Sequence, residues 1–176
     1  MRLFVAVNIS DEIKNLIINM QDQLRSQSLR GNFSQPKNLH ITLAFLGETP
    51  ADKLEKLARI IEEIKSPPFE VVFNRSGCFT HSHKELWWIG ADKGCRGFSL
   101  LNDIHGQLLR RLEEEGFPVD TRPFNVHITL GREIKHAAAI VLDCPEITIK
   151  VDRISLMKSE HIKGVLTYTE LMEKKL

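Results

Sequence analysis

The sequence has few cysteines, no apolar run of membrane length and almost no net charge. Its three cysteines, Cys78, Cys95 and Cys144, are widely spaced and form no C-x-x-C pair. Such an odd set argues against a disulfide framework or a zinc site and predicts reduced thiols in a cytoplasmic protein. The apolar start of the chain reaches charged residues at Asp11 and Glu12. It therefore predicts a first strand, and neither a signal peptide nor a membrane span.

The formal net charge is +1, from 24 basic and 23 acidic side chains. A surface this balanced does not favour binding along nucleic acid, because such binding depends on neutralising many phosphates. A nucleic-acid substrate would instead be held locally, through one end or a few phosphates. No proline-, glycine- or serine-rich linker divides the 176 residues, so we expect one domain over residues 1–176 that needs no partner subunit.

Apolar periodicity predicts an α+β chain in which helices and strands are interleaved without strict βαβ order. Ser10 is expected to cap the first helix, and Thr49, followed by Pro50, the second. The third helix is expected over residues 98–115, with Gly116 ending it. Strands are expected over residues 3–9, 39–46, 69–73, 77–80, 85–91, 125–131, 147–157 and 165–172, with a loop over 31–37 and a hairpin turn at 80–84.

The tetrapeptide H-I-T-L occurs twice, beginning at His40 and, 127 − 40 = 87 residues later, at His127. Each copy follows a loop that contains proline. Because side chains alternate along a strand, His40 and Thr42 point to one face, and His127 and Thr129 do the same. The aliphatic residues between them point to the opposite face. If a pseudo-twofold axis relates the two halves, the two His-Thr pairs face each other across one cleft.

Two imidazoles and two hydroxyls at one cleft suit phosphodiester chemistry. Imidazoles with ordinary pKa values of about 6.5 can share the work at neutral pH, one removing a proton from water and the other protonating the departing sugar oxygen. The hydroxyls can hydrogen-bond the non-bridging phosphate oxygens. A cyclic phosphate is strained and keeps its leaving group tethered, so this chemistry requires neither a metal ion nor another cofactor.

With these motifs the chain resembles the two-histidine (2H) phosphoesterase superfamily, in particular its RNA 2′,3′-cyclic phosphodiesterase branch, historically called 2′-5′ RNA ligases. The doubled H-x-T-x motif is the specific part of the resemblance, which extends over nearly the whole chain. The matching segments are the opening M-R-L-F-V-A-V, the blocks N-L-H-I-T-L-A-F-L-G-E and R-P-F-N-V-H-I-T-L-G-R, and a closing strand with Tyr168.

The resemblance implies a bilobal, pseudo-twofold α+β fold in which two antiparallel sheets line a central cleft and the helices lie outside. The two lobes would be intertwined, each carrying one motif. The reaction implied is hydrolysis of RNA 2′,3′-cyclic phosphate ends to 2′-phosphomonoesters, with reversible 2′-5′ RNA ligation as an additional activity. His40 would be the proton donor and His127 the acceptor, while Thr42, Thr129 and Arg132 would hold the phosphate.

Two positions depart from that pattern. Val126 stands immediately before the second histidine, where the family often has proline, and valine suits a strand. By strict alternation the side chain of Arg132 would point away from the cleft, so its proposed role requires a bend at Gly131.

Three alternatives remain open on the sequence. The substrate could be a small cyclic nucleotide, such as an ADP-ribose cyclic phosphate, or the chain could be a non-catalytic nucleotide-binding module. A metalloenzyme using both motif histidines with His81 and His83 is the third, although that H-x-H pair falls at a polar hairpin turn. His105 lies inside a helix with no evident partner. Trp87 and Trp88 should face opposite ways, so at most one belongs to the core.

Overall fold

The computed structural model describes all 176 residues and has an α+β fold, as the sequence predicts. Nine strands form two sheets in which every pairing is antiparallel. None of the three helices is both long enough and apolar enough to cross a membrane. The strands are β1 Arg2–Asn8, β2 Arg30–Phe33, β3 His40–Glu48, β4 Phe69–His81, β5 Lys84–Ala91, β6 His127–Lys135, β7 Ile147–Val151, β8 Arg153–Ile162 and β9 Val165–Lys175, and the helices are α1 Asp11–Ser26, α2 Leu54–Glu62 and α3 Arg96–Glu114.

The chain passes repeatedly between the two sheets. The first sheet has the strand order β3-β1-β8-β9, and the second has the order β2-β6-β5-β4-β7. The two H-I-T-L motifs therefore begin strands of different sheets, β3 in the first and β6 in the second. Contacts between β3 and β6 bring these two strands together.

One hydrophobic core of 34 buried residues joins the sheets to the helices. α1 contributes Ile17, Met20 and Leu24 to this core, at the helical spacing that the sequence predicts. α3 contributes a second stripe of this kind, Leu101, Ile104, Leu108 and Leu112. The helices thus cover the apolar faces of the sheets and leave the opposite faces open.

Two helix ends form as their sequences predict. The Ser10 hydroxyl accepts a hydrogen bond from the backbone N–H of Ile13, 3.4 Å away, which satisfies one of the free donors at the start of α1. Gly116 has a φ of +75°, a conformation that favours glycine, two residues after α3 ends.

The predicted start of the second helix is wrong. Thr49 is buried and does not cap a helix; its hydroxyl contacts the Gly47 carbonyl, and its backbone N–H bonds to the Met1 carbonyl at 2.8 Å. Pro50 is extended and precedes a single 3-10 turn, so α2 begins only at Leu54. Thr49 is thus held by a long-range bond to Met1, the residue before the first strand, and no local pattern reveals this bond.

Three strand predictions are corrected by pairing between distant segments. Residues 30–33, most of them predicted as loop, form β2, where the missing side chain of Gly31 lets the backbone pass close to Ile134 on β6. The segments expected at 69–73 and 77–80 are one strand, β4. The strand expected over 147–157 is divided at Asp152, where the chain leaves the second sheet and enters the first.

We predict opposite effects of alanine at two glycines of α3. A Cβ at Gly97 would lie 2.7 Å from the Cα of Val71 and closer still to the Glu70 carbonyl oxygen, whereas one at Gly106 meets nothing within 4 Å. Gly97→Ala should lower the free energy of unfolding by about 1–3 kcal/mol through overpacking. Gly106→Ala should raise it by about 0.5–1 kcal/mol through helix propensity. Urea denaturation measures both, and a Gly97→Ala variant as stable as the wild type would contradict this packing.

Candidate active site

The two motif strands bury their aliphatic sides and leave their polar sides open. The aliphatic residues of both motifs have 0–1% of their surface exposed, while both histidines and both threonines are only partly buried. This is the alternation that the sequence predicts. The buried set is Ile41, Leu43, Ile128 and Leu130.

Both imidazoles are held at the same ring nitrogen by a backbone carbonyl. The Nδ1 of His40 lies 2.6 Å from the Asn38 carbonyl oxygen, and the Nδ1 of His127 lies 2.7 Å from that of Asn125. Because a carbonyl oxygen can only accept, Nδ1 carries a proton in each ring. The other nitrogen, Nε2, is therefore the one that exchanges a proton with a ligand.

The repeat that builds this arrangement is longer than H-I-T-L. The pattern P-x-N-x-H-I-T-L begins at Pro36 and again at Pro123, so an asparagine stands two residues before each histidine. Sequence reasoning missed these asparagines, although the repeat itself was a usable signal. Asn38 has a second role, since its side-chain amide donates to the Leu166 carbonyl at 2.9 Å and ties the first motif to β9.

Two aromatic rings pack against the imidazole of His40. The centroid of its ring lies 5.0 Å from that of Phe4 and 5.2 Å from that of Tyr168, which it meets edge to face. Its Nε2 lies 2.8 Å from the Thr42 hydroxyl oxygen. Phe4, on β1, is therefore packed beneath the candidate site and not in the main core.

Burial and positive charge keep both imidazoles neutral. The pKa of His40 is lowered from 6.5 to about 4, first by desolvation and then by the nearby charges of Arg132 and His127, against the opposing effect of the Asn38 carbonyl. The pKa of His127 is also lowered, first by desolvation and then by Arg132. The two rings and one guanidinium are thus close enough to act on each other electrostatically.

A β-bulge accounts for the position of Arg132. Thr129 pairs with Trp88 on β5, but the next pair along is Gly131 with Trp87, so Leu130 is an extra residue on β6. This bulge supplies the bend near Gly131 that strict alternation lacks. Beyond it, the guanidinium of Arg132 is exposed and acts on both histidines.

His105 has two partners, contrary to the sequence-based expectation of none. Its Nδ1 donates to the Leu43 carbonyl of β3 at 2.7 Å. Its ring stacks on Phe124, with 4.1 Å between centroids and an interplanar angle of 11°. Phe124 immediately precedes Asn125, whose carbonyl holds His127. A single side chain of α3 therefore contacts the first motif strand and the segment that leads into the second.

The remaining histidines and the cysteines form neither a metal site nor a disulfide. His81 and His83 are exposed at the turn between β4 and β5, and no three His, Cys, Asp or Glu side chains are grouped so as to hold a metal ion. The three cysteines are unpaired.

Trp87 packs on the core and Trp88 packs near Phe79 on the other face, so the two tryptophans face opposite ways as predicted. Phe79 in turn meets the His127 ring edge to face at 5.4 Å.

We predict that Arg132→Gln raises the pKa of both His40 and His127. Removing the guanidinium removes a positive charge that disfavours each imidazolium. An NMR titration of the imidazole C–H signals measures both values. Arg110→Gln, which removes an exposed arginine of α3, is the matched control. Unchanged histidine pKa values in Arg132→Gln would show that the guanidinium does not reach the cleft.

Two solved structures are similar to this chain over nearly its whole length. The crystal structure of a Thermus thermophilus protein aligns with a TM-score of 0.87 and 26% identity, covering 100% of this chain and 98% of that one. E. coli LigT complexed with 3′-AMP aligns with a TM-score of 0.85 and 28% identity, covering 99% and 97% of the two chains.

Two relatives found by sequence comparison are named for the same activity. The RNA 2′,3′-cyclic phosphodiesterase of Escherichia coli (strain K12) is 31% identical over 174 residues, covering 97% of this chain and 93% of that protein. That of Archaeoglobus fulgidus is 33% identical over 133 residues, 75% and 72% of the two chains. The family profile described as the 2′-5′ RNA ligase superfamily matches residues 11–162. The chain therefore belongs to the 2′-5′ RNA ligase superfamily, the two-histidine phosphoesterases, and is an enzyme.

Proposed function

We propose that this enzyme hydrolyses RNA 2′,3′-cyclic phosphate ends to 2′-phosphomonoesters, without a metal ion, by two-histidine acid–base catalysis. The observation that carries the proposal is the matched presentation of His40 and His127, each with Nδ1 fixed on a backbone carbonyl, so that Nε2 is the nitrogen that can exchange a proton with a ligand. The E. coli and A. fulgidus relatives named for this activity support the same reaction.

In the proposed reaction the phosphate lies between the two imidazoles. Neutral His127 takes a proton from water at Nε2 while the water oxygen forms a bond to phosphorus. The bond between phosphorus and the 3′ oxygen breaks, and the Nε2–H of protonated His40 gives that oxygen its proton. The products are a 2′-phosphate and a free 3′-hydroxyl. The assignment of His40 as donor and His127 as acceptor follows the family resemblance.

Thr42, Thr129 and Arg132 would hold the phosphate during this step. Hydroxyl donors on the non-bridging oxygens, together with a guanidinium, stabilise the negative charge that grows as water attacks. Thr42 must first give up its contact with the Nε2 of His40, which is 2.8 Å long in the free enzyme. Substrate binding would therefore exchange an internal hydrogen bond for one to the phosphate.

The bound phosphate would also charge the donor. His40 is mostly neutral in the free enzyme, because its pKa is about 4. An adjacent anion favours the imidazolium and raises that pKa, so the donor would take up its proton as substrate binds. With the 5′-hydroxyl of a second RNA as nucleophile in place of water, the same groups would form a 2′-5′ linkage as the bond to the 3′ oxygen breaks, and this ligation would be reversible.

RNA ends are the substrate class we favour, with the enzyme acting as a monomer and without a membrane partner. Unpaired cysteines fit a reducing compartment, which for this reaction would be the cytoplasm. A small cyclic nucleotide such as ADP-ribose cyclic phosphate is the second candidate, since E. coli LigT has been crystallised with NADP+ as well as with 3′-AMP. Direct comparison of the two substrates distinguishes these candidates.

We predict that His40→Ala and His127→Ala each lower kcat by about 10²- to 10⁴-fold, the usual loss on removing a general acid or base. The assay follows conversion of an oligoribonucleotide 2′,3′-cyclic phosphate to its 2′-phosphate in EDTA. His83→Ala, an exposed histidine of the turn between β4 and β5, is the matched control and should retain wild-type activity. Full activity of either motif variant, or a need for added metal, would contradict the mechanism.

We predict a bell-shaped dependence of kcat/KM on pH with its optimum below about pH 6.5, the ordinary histidine pKa. The acceptor must be neutral and the donor protonated, and both histidine pKa values are lowered in the free enzyme. The two limbs belong to the pair together. Because the bound phosphate raises the donor pKa, the alkaline limb of kcat should lie at higher pH than that of kcat/KM. With chemistry rate-limiting, a kcat/KM that rises from about pH 6.5 to 8 would contradict this.

A further inference from the structure

The cleft-facing side of the second sheet continues beyond His127 across two more strands. In the strand pairing, His127 lies opposite Gly90 on β5, and Gly90 lies opposite Arg75 on β4. Residues paired in this way point to the same face of a sheet. Arg75 therefore shares the face of His127, two strand spacings or roughly 9.5 Å away, across a position that has no side chain.

Two glycines keep this part of the face flat. A Cβ at Gly77 or at Gly90 would lie 2.7 Å from the six-membered ring of Trp88, so only glycine admits the indole where it lies. Phe79 extends the aromatic surface, with its ring centroid 5.2 Å from that of Trp88, and 37% of Phe79 is exposed. Flat, exposed aromatic surfaces beside a cleft are suited to stacking nucleobases.

Arg75 adds an unpaired positive charge to this surface. Its Nε donates to the Ala91 carbonyl at 3.0 Å, and its guanidinium lies 6.0 Å from the Trp88 ring centroid. Other arginines of the chain, such as Arg122 and Arg153, pair with carboxylates, whereas Arg75 forms no ion pair. Its two terminal nitrogens are therefore free to bind an oxygen anion.

We infer that Arg75, Trp88 and Phe79 form a second binding subsite that holds the nucleotide preceding the cyclic end of an RNA. Arg75 binds the phosphodiester that joins this nucleotide to the terminal one, and its base stacks on the aromatic surface. The inference rests on the proposed function, because it requires the terminal phosphate to lie at His127. It gives the enzyme a preference for oligonucleotides over mononucleotides without a basic surface.

The test compares ApA ending in a 2′,3′-cyclic phosphate with adenosine 2′,3′-cyclic phosphate as substrates of the wild type, Arg75→Gln and Arg75→Lys. Arg75→Gln should lower the ratio of kcat/KM for the dinucleotide to that for the mononucleotide by about tenfold, as expected for one lost charge-assisted hydrogen bond. Arg75→Lys keeps the charge and should lose less. Arg110→Gln, a matched loss of charge elsewhere, should leave the ratio at the wild-type value.

Salt dependence provides the second measurement. For the dinucleotide, the slope of log(kcat/KM) against log[salt] should become less steep by about 0.7 in Arg75→Gln, because one phosphate contact to a single strand is lost. Arg75→Lys should keep the wild-type slope. Equal losses on both substrates, or no change on either, would overturn the subsite.

A binding experiment separates failure of the subsite from failure of the proposed reaction. Titration calorimetry with ApAp and 3′-AMP needs no turnover, and Arg75→Gln should weaken binding of ApAp relative to 3′-AMP by about tenfold. If the wild type hydrolyses neither cyclic substrate but this selective loss appears, the subsite stands and the proposed hydrolysis fails. If Arg75→Gln binds both ligands as the wild type does, the subsite is wrong.

Discussion

Burial of the aliphatic side of β3 and β6 determines that the histidine and threonine of each motif lie on the opposite, open side. Four aliphatic residues of the two motifs are almost fully buried, and each contributes about 1.5–3 kcal/mol by leaving water. A slip of either strand by one residue would expose two of them and bury a histidine with its threonine. The placing of the two imidazoles is therefore enforced by the core and not by contacts within the cleft.

In the free enzyme, the positive charge near the two imidazoles is not balanced by a negative charge on the groups that hold them. Arg132 and the two histidines lie near one another, and the resulting repulsion adds to desolvation in keeping the imidazoles neutral. The polar ligands that fix each Nδ1 are neutral carbonyls, unlike the carboxylate of a catalytic triad, so they hold the ring without adding negative charge. In the proposed mechanism an anion between the rings supplies this negative charge, which would couple protonation of the imidazoles to binding.

Local chemistry in the sequence predicted those features that depend on a few neighbouring residues. The Ser10 cap, the helix stop at Gly116 and the alternation within each motif all belong to this class. The missed features depend on distant partners: Thr49 is held by the Met1 carbonyl, and β2 forms only because β6 lies beside it. The bulge that turns Arg132 toward the cleft likewise exists only in the pairing of β5 with β6, so strict alternation could not reveal it.

The contacts of His105 connect the candidate active site to the helical layer of the fold. Because one ring bonds to β3 and stacks beside the segment entering β6, the spacing of the two motif strands depends on where α3 lies. Loosening of α3 would let these strands drift apart while the hydrogen bonds within each sheet remain intact. Displacement of α3 would therefore disturb the candidate active site through a residue that takes no part in the proposed reaction.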